Sequence, residues 1–552
     1  MKFKMCLLTV LFAAVVVPAT ALAQEYGPED TTSIRIEEDE EDEEEKDEEL
    51  RWDFRVTNEM HTFNNLDMRP LDESTAQDIL DSDDRHTFGF TSIAAGASYD
   101  ILDDTTFDFG ASLAGMWGND QIGATTDFGA LAYIYALSVD WTAYESDNLE
   151  LSTRLGRQEF RIGGTSRDFF FDDILDGATI EADFGDAGKL RVLAVDIFGD
   201  SGRPDDVDFL NYVNANKQTT NNFRGRTNVY RYGGVYELLD IADAFDMRAF
   251  AFGSYIGAAR APQEDETSTG TDRSNHGTLC NFTDNDATFM GGARGNYTLD
   301  FDDLQVGLMG EYARSGGIDR KATQLGHRDV TNNGNAFGGG AEVSNEGDAL
   351  DLHGRLRYFR ADGSQHTANE GLLYNHGFTS MKGAEVGGLN MDRYAGWHPS
   401  AYVSGYSGIA NNPQDLDRRA GTEVMQAGFG VLLQETLRVD LDAWHYRDTG
   451  STNVDPDEVD ELANDTAWGY SEGDLRAQQR LGESLGTELN ATLTFVANDA
   501  LALYGLGGVF LPGAFYETEI NRNAGTALGA PGNNPDALEE FWVISGGATV
   551  AF

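Results

Sequence analysis

From Arg51 to the end, the chain runs in segments of roughly ten to fourteen residues in which apolar and polar side chains alternate, the period of a strand with two different faces. In 540–552, Trp542, Ile544, Ala548, Val550 and Phe552 share one face, and Ser545, Gly547 and Thr549 share the other. In 487–496, Leu489, Ala491, Leu493 and Phe495 oppose Glu488, Asn490, Thr492 and Thr494. Phe289, Ala293, Tyr297 and Leu299 stand likewise against Arg294, Asn296 and Thr298, and Leu352, Leu356 and Tyr358 against His353, Arg355 and Arg357.

The pattern predicts strands near 51–60, 86–101, 105–117, 129–144, 148–160, 178–184, 189–198, 227–239 and 246–257. It continues with 286–299, 303–314, 349–360, 365–373, 422–434, 436–447, 486–497, 500–510 and 540–552, about eighteen in all. Short and long connections alternate. The short turns include Leu102–Asp104, Asp300–Asp302, Ala361–Ser364 and Asn498–Asp499; the long connections include 61–85, 161–177, 315–348 and 374–421. The thirteenth strand is the weakest: Ser400–Tyr406 competes with 365–373, and the alternation of connections favours the latter.

A soluble sandwich gives no reason to gather every long loop at one end. A single transmembrane antiparallel β-barrel does, with tight periplasmic turns, long extracellular loops and an even strand number. Closure removes the sheet edges, which lets β-structure cross lipid without unsatisfied backbone groups. The fold class is therefore all-β, placed in the cell outer membrane, with the lipid bilayer and the barrel-assembly machinery as partners. Trp117, Trp141, Tyr144, Trp444, Phe510 and Trp542 fall near strand ends, where interfacial girdles belong, and Phe552 is the expected assembly end.

Residues 1–23 read as a signal peptide: basic Lys2 and Lys4, the apolar run Leu7–Pro18, then Ala21-Leu22-Ala23 before Gln24. Residues 24–49 form an acidic disordered periplasmic extension, acidic at twelve of the thirteen positions 37–49, and 50–552 form the barrel. Cys280 is the only cysteine left in the mature chain, so no internal disulfide is available. No apolar run of eighteen residues follows the signal, which excludes ordinary membrane helices but not strands. With 94 acidic and 39 basic residues the net charge is −55, and nucleic acid is excluded as a partner because no phosphate footprint is available.

Two stretches resemble a known family. Leu155-Gly156-Arg157-Gln158-Glu159-Phe160-Arg161-Ile162-Gly163, followed by Arg167-Asp168-Phe169-Phe170-Phe171-Asp172-Asp173, resembles the Gly-Arg-Gln segment of the alginate-export family of outer-membrane channels. Leu485-Gly486-Thr487-Glu488-Leu489-Asn490, with Phe510-Leu511-Pro512-Gly513, resembles that family's penultimate hairpin. The resemblance implies a barrel of eighteen strands and passive transport of an anionic polysaccharide or other acidic solute, with periplasmic export proteins as partners. It differs from the family in one respect: the exporters have an electropositive lumen, and this chain is acidic overall.

Seven of the 39 basic residues are lysine, leaving thirty-two arginines. Arg154, Arg294, Arg355, Arg357 and Arg438 lie on the polar parity of strands, with Arg231 less clearly placed. An arginine facing lipid at mid-depth costs roughly 2–4 kcal/mol, so these belong in the lumen. There they suit a carboxylate-passing track, or else they pair with lumen acids such as Glu311, Asp440, Asp442 and Glu488 into a neutral network. Arg157 and Arg161 share parity with Leu151 and Leu155, which implies that the strand has left the membrane there. The segment 161–177, with Gly163-Gly164, Arg167 and Phe169–Phe171, then either folds inward as a constriction or stays on the surface.

No enzymatic constellation emerges. His327-Arg328-Asp329 has Gly334 where a kinase loop needs asparagine, and the nine histidines show no metal-ligand spacing, so neither cofactor nor metal is expected. Besides the export-like channel, two readings remain: a general or cation-favouring diffusion porin, whose loop acids gather cations at the mouth, and a non-conducting surface scaffold or calcium-dependent adhesin.

Overall fold

The computed structural model describes residues 50–64, 86–102, 104–117, 131–146, 148–164, 168–196, 229–241, 244–256, 286–301, 304–323, 326–345, 350–363, 366–369, 372–378, 381, 422–434, 436–449, 484–498, 500–513 and 540–552. The wall begins with β1 (Leu50–Asn64), β2 (His86–Leu102), β3 (Thr105–Trp117), β4 (Leu131–Ser146), β5 (Leu149–Arg161) and β6 (Asp172–Asp183). It continues through β7 (Lys189–Asp196), β8 (Val229–Ile241), β9 (Phe245–Ile256), β10 (Asp286–Phe301), β11 (Leu304–Thr323), β12 (Gly326–Asn345) and β13 (Leu350–Ala361). A small hairpin follows, β14 (His366–Asn369) and β15 (Leu372–Asn375); the wall then resumes with β16 (Thr422–Leu433), β17 (Leu437–Asp448), β18 (Ser484–Asn498), β19 (Leu501–Pro512) and β20 (Phe541–Ala551).

Each wall strand pairs antiparallel with its neighbours, and β13 pairs directly with β16, so the hairpin stands outside the wall. β1 pairs with both β2 and β20, which closes an eighteen-stranded barrel. Phe54 and Phe552 exchange backbone hydrogen bonds of 3.1 and 2.8 Å at the seam. The short connections lie at that end. A closed barrel with an apolar exterior is the form in which strands cross the outer membrane.

The two faces sort as alternation requires. Leu137, Leu155, Leu308, Leu356, Leu441, Leu493 and Ile544 are exposed on the outside, while Glu59, Ser92, Arg294, Glu311, Arg355, Glu488 and Thr549 are buried on the inside. Trp117, Trp141 and Tyr144 are exposed outward near strand ends, as girdle residues should be. Trp444 and Phe510 are not. They are 7 % and 1 % exposed and pack with Tyr446 on the inner face, because β17 and β19 carry apolar residues on both faces near their extracellular ends.

The wall also differs from the expected strands at β12. The expected long connection 315–348 contains the upper part of β11 and all of β12, whereas 365–373 falls on the β14–β15 hairpin. β12 reads Gly-Gly-Gly at 338–340 and Asn-Asn-Gly at 332–334, so it has almost no apolar alternation by which to recognise it. The wall has eighteen strands with β12 among them and 365–373 outside it. β6 also begins at Asp172 rather than 178, which shortens the loop after β5.

Candidate functional site: the lumen and its inward segment

After Arg161 the chain turns into the barrel. Phe160, Ile162, Phe170, Phe171 and Leu175 join Leu193, Val235, Phe250, Phe252, Met290, Ala313, Ala336 and Phe359, contributed by the inner faces of seven strands from β7 to β13, in one buried cluster completed by Phe378 and Met381. The rings pack closely: Phe171 meets Phe252 edge-on at 4.8 Å, and Phe170 lies 5.5 Å from Phe250 and 5.8 Å from Phe378. Met381 is tied to this segment by its N–H donating to Phe170 O at 3.0 Å, and 376–378 is tied to the wall by Phe378 N donating to Asp362 O at 2.7 Å.

Polar wall residues hold this segment by its backbone. Arg191 Nη1 and Nη2 donate to the carbonyls of Arg161 and Ile162 at 3.0 and 2.7 Å. Arg294 Nη1 donates to Gly163 O at 2.7 Å, and Asn296 Nδ2 to Gly164 O at 2.9 Å. Gly163 and Gly164 sit at φ 90° and 84°, the left-handed region that a reversal of this kind uses and that glycine adopts without strain. Asp168, fully buried, accepts the backbone N–H groups of Gly163, Phe170 and Phe171 and shapes the turn.

Arg294 is the centre of the arrangement. Its Nε and Nη2 donate to Glu311 Oε2 at 2.9 and 2.7 Å, and Nη1 and Nη2 reach Asp168 at 2.9 and 3.2 Å. With Gly163 O, five bonds match the five N–H donors of a guanidinium. Such full satisfaction is what makes a buried charge tolerable. Arg231 plays a similar part: Nη2 meets Asp173 at 2.7 Å, Nη1 donates to Met381 O at 3.0 Å, and the guanidinium lies 5.1 Å from the Phe171 ring centroid. Glu237 joins Arg191 and Arg248 at 2.6 and 2.9 Å.

The remaining expected track residues lie on the inner wall as carboxylate pairs. Arg154 bonds Asp140 through Nε and Nη2 at 2.9 and 2.6 Å and approaches Asp108 at 4.0 Å. Arg355 grips Asp442 at 3.1 and 2.8 Å, Arg357 meets Glu342, and Arg438 holds Asp440 at 2.7 and 3.1 Å. All six arginines thus have acidic partners, and Glu311, Asp440 and Asp442 are three of the acids the alternative reading named. Arg231 and Arg294, 3 % and 1 % exposed, are committed to the inward segment rather than presented to solvent.

The Gly-Arg-Gln stretch has a local explanation. Gly156 has φ 123°, and a Cβ there would lie 2.2 Å from Leu137 O, so only glycine fits. Gln158, 3 % exposed, accepts from Thr179 Oγ1 at 2.7 Å and donates to Arg154 O at 3.2 Å. Arg157 reaches Asp176 at 3.4 Å and lies over Tyr133, Arg161 is half exposed beside Glu159, and Arg167 lies outside the described residues. Sequence reasoning missed Arg191 and Arg248. Lys189 and Arg191 alternating with Leu190 and Val192 was the available signal for the first.

No family model matches the sequence, and no curated protein matches it. Among solved structures, the chain is similar to the outer membrane protein OprD from Pseudomonas aeruginosa at 10% identity and TM-score 0.45, covering 92% of this chain and 94% of that one. It is also similar to OccAB1 of Acinetobacter baumannii, at 10% identity and TM-score 0.45 over 91% and 97% of the two chains. OccK8 (OprE) of P. aeruginosa matches at 8% and 0.43, over 91% and 98%. The neighbours are OprD and Occ proteins, and the alginate-export resemblance is withdrawn: its motif residues do local work, closing a tight strand contact and positioning the inward turn.

Proposed function

We propose that the protein is a passive diffusion channel for small polar solutes, narrowed by the inward residues 162–164 and 168–171 and by 376–378 and Met381. The observation that carries this reading is the pairing of all six expected track arginines with carboxylates. A paired wall sets up little net field, so size and local polarity govern passage rather than a strong preference for anions. Arg154, with its side chain 42 % exposed, and Arg357, at 28 %, keep part of the inner wall wet. The surplus of acids over bases, 94 against 39, favours cations at the mouths by electrostatic focusing.

The test is single-channel conductance in a planar bilayer under a KCl gradient, with a polyuronate added to each side in turn. The reading expects steady conductance, a weak preference for potassium over chloride and no polyuronate block. Strong anion selectivity with block would overturn the paired-wall argument, and silence in every condition would favour a closed scaffold.

A further inference from the structure

Outside the barrel, one sector of the wall breaks the apolar pattern. Arg314 on β11, Arg360 on β13 and Arg447 on β17 all lie on the outward parity, in line with exposed Leu308, Leu356 and Leu441. Each stands ten positions from the first residue of its strand at the short-turn end (314 − 304, 360 − 350 and 447 − 437). Ten residues at about 3.3 Å, tilted by about 40°, rise about 25 Å, the height of the apolar band of an outer-membrane barrel. Arg360 and Arg447 share one register line across β16, and Arg314 falls two residues from that line across β12, so with strands 4.8 Å apart and tilted by about 40° the three groups lie within about 6 Å of one height, where the hydrocarbon of the outer leaflet gives way to headgroups.

The sector covers five adjacent strands, β11, β12, β13, β16 and β17, about 19 Å across at 4.8 Å per strand. Aromatic Tyr312, Phe337 and Tyr358 sit at or just below this level. Glu423 is in register between Arg360 and Arg447, and Arg360 Nη1 approaches it at 3.4 Å. Arg314 donates through Nε and Nη2 only to the neutral Asn333 Oδ1, at 3.0 and 2.9 Å. Asp362 is engaged by Asn335. Among the described residues, neither Arg314 nor Arg447 has a carboxylate within ion-pair distance. At the corresponding level, β1, β9 and β19 present only Met60, Tyr255 and Leu511.

A cationic sector on a chain of net charge −55 is a local reversal of sign. We infer that Arg314, Arg360 and Arg447 form a docking site for the phosphate groups of an anionic glycolipid of the outer leaflet. The guanidinium fork matches phosphate oxygens in pairs, and lipid-level placement lets the acyl chains lie along Leu308, Leu356 and Leu441. The inference needs the barrel in the membrane, and it holds whether or not the lumen conducts.

The test titrates the full-length protein in detergent micelles with a diphosphorylated glycolipid, with the same glycolipid after phosphate removal, and with inorganic phosphate alone, reading the shift in unfolding temperature. The wild type is expected to be stabilised by the phosphorylated glycolipid only, and R314Q/R360Q/R447Q to need about tenfold more of it. Equal stabilisation of the triple variant, or equal effect of the dephosphorylated lipid, would overturn the site. Inorganic phosphate acting as well as the lipid would overturn the lipid assignment. A β-rich circular-dichroism spectrum and a cooperative thermal transition like those of the wild type show that the triple variant folds; if it does not, R447Q alone is titrated, and an affinity equal to wild type counts against the site.

Discussion

His353 Nε2 lies 2.7 Å from Asp440 Oδ1 although an entire strand, β16, runs between them. In register the residue separating them is Gly430, and the two side chains meet over its bare backbone. One step along, Arg355 and Asp442 meet over Gly428 in the same way. A Cβ at Gly430 would come within 2.0 Å of the imidazole and 2.4 Å of Asp440. Gly430→Ala is expected to cost about 1–3 kcal/mol, as overpacking does, seen as a lower urea midpoint in micelles. A midpoint equal to wild type would mean that the pair relaxes freely.

Asp168→Asn keeps the shape of the side chain and removes its charge from Arg294, leaving Glu311 as that arginine's carboxylate. Breaking a buried pair costs about 3–5 kcal/mol, and here the loss falls on the inward segment because Asp168 also shapes its turn. The expected result is larger, noisier single-channel conductance with the barrel still folded. Conductance identical to wild type would show that the turn held by Asp168 does not limit passage.

The pairing of Arg355 with Asp442 offers a test of the neutral wall by charge difference. Arg355→Gln leaves a carboxylate and should raise the potassium preference, and Asp442→Asn leaves a guanidinium and should lower it. The double variant should return toward wild type. Reversal potentials decide the matter, and single variants with unchanged selectivity would place this pair away from the permeation path.

At Gly156 the backbone leaves no room for a side chain, because φ is 123° and the obstacle is the carbonyl of Leu137 rather than a movable side chain. Gly156→Ala is expected to cost about 3 kcal/mol, the top of the range for enforced backbone strain, because a clash with backbone adds to the handedness cost. Gly185 provides the comparison: φ is 59° and nothing lies within 4 Å of its Cβ direction, so Gly185→Ala should cost about 1–2 kcal/mol from handedness alone. Equal midpoints for the two variants would remove the steric argument.

The wall was legible wherever one face meets lipid and the other meets polar groups, since that contrast is written at every second residue. Leu489, Leu493 and Phe495 against Glu488, Thr492 and Thr494 is such a strand. β12 was not legible, because glycine and asparagine carry no contrast. Nor was the apolar filling of the lumen. Phe250 and Phe252 read as ordinary strand residues, and only the packing of Phe160, Ile162, Phe170, Phe171, Phe378 and Met381 against them inside the barrel explains why phenylalanines occupy an inner face. The arginines were found by parity, but their partners come from strands far apart in sequence: Arg294 and Asp168 are separated by 126 residues, which no local pattern encodes.

The seam between β1 and β20 joins Arg55 to Ala551. Half the hydrogen-bonding edge of the first strand therefore waits for the last strand to be made, and no partial chain can close. Loop-closure entropy is paid over nearly the whole polypeptide, the most non-local ordering the chain allows, so assembly is intrinsically slow. During that interval both terminal strands expose unpaired edges beside apolar faces, the combination most prone to wrong association. Cyclising or permuting the chain across Phe54 and Phe552 would make this contact local, and faster barrel closure would show the seam to be the step that sets the pace.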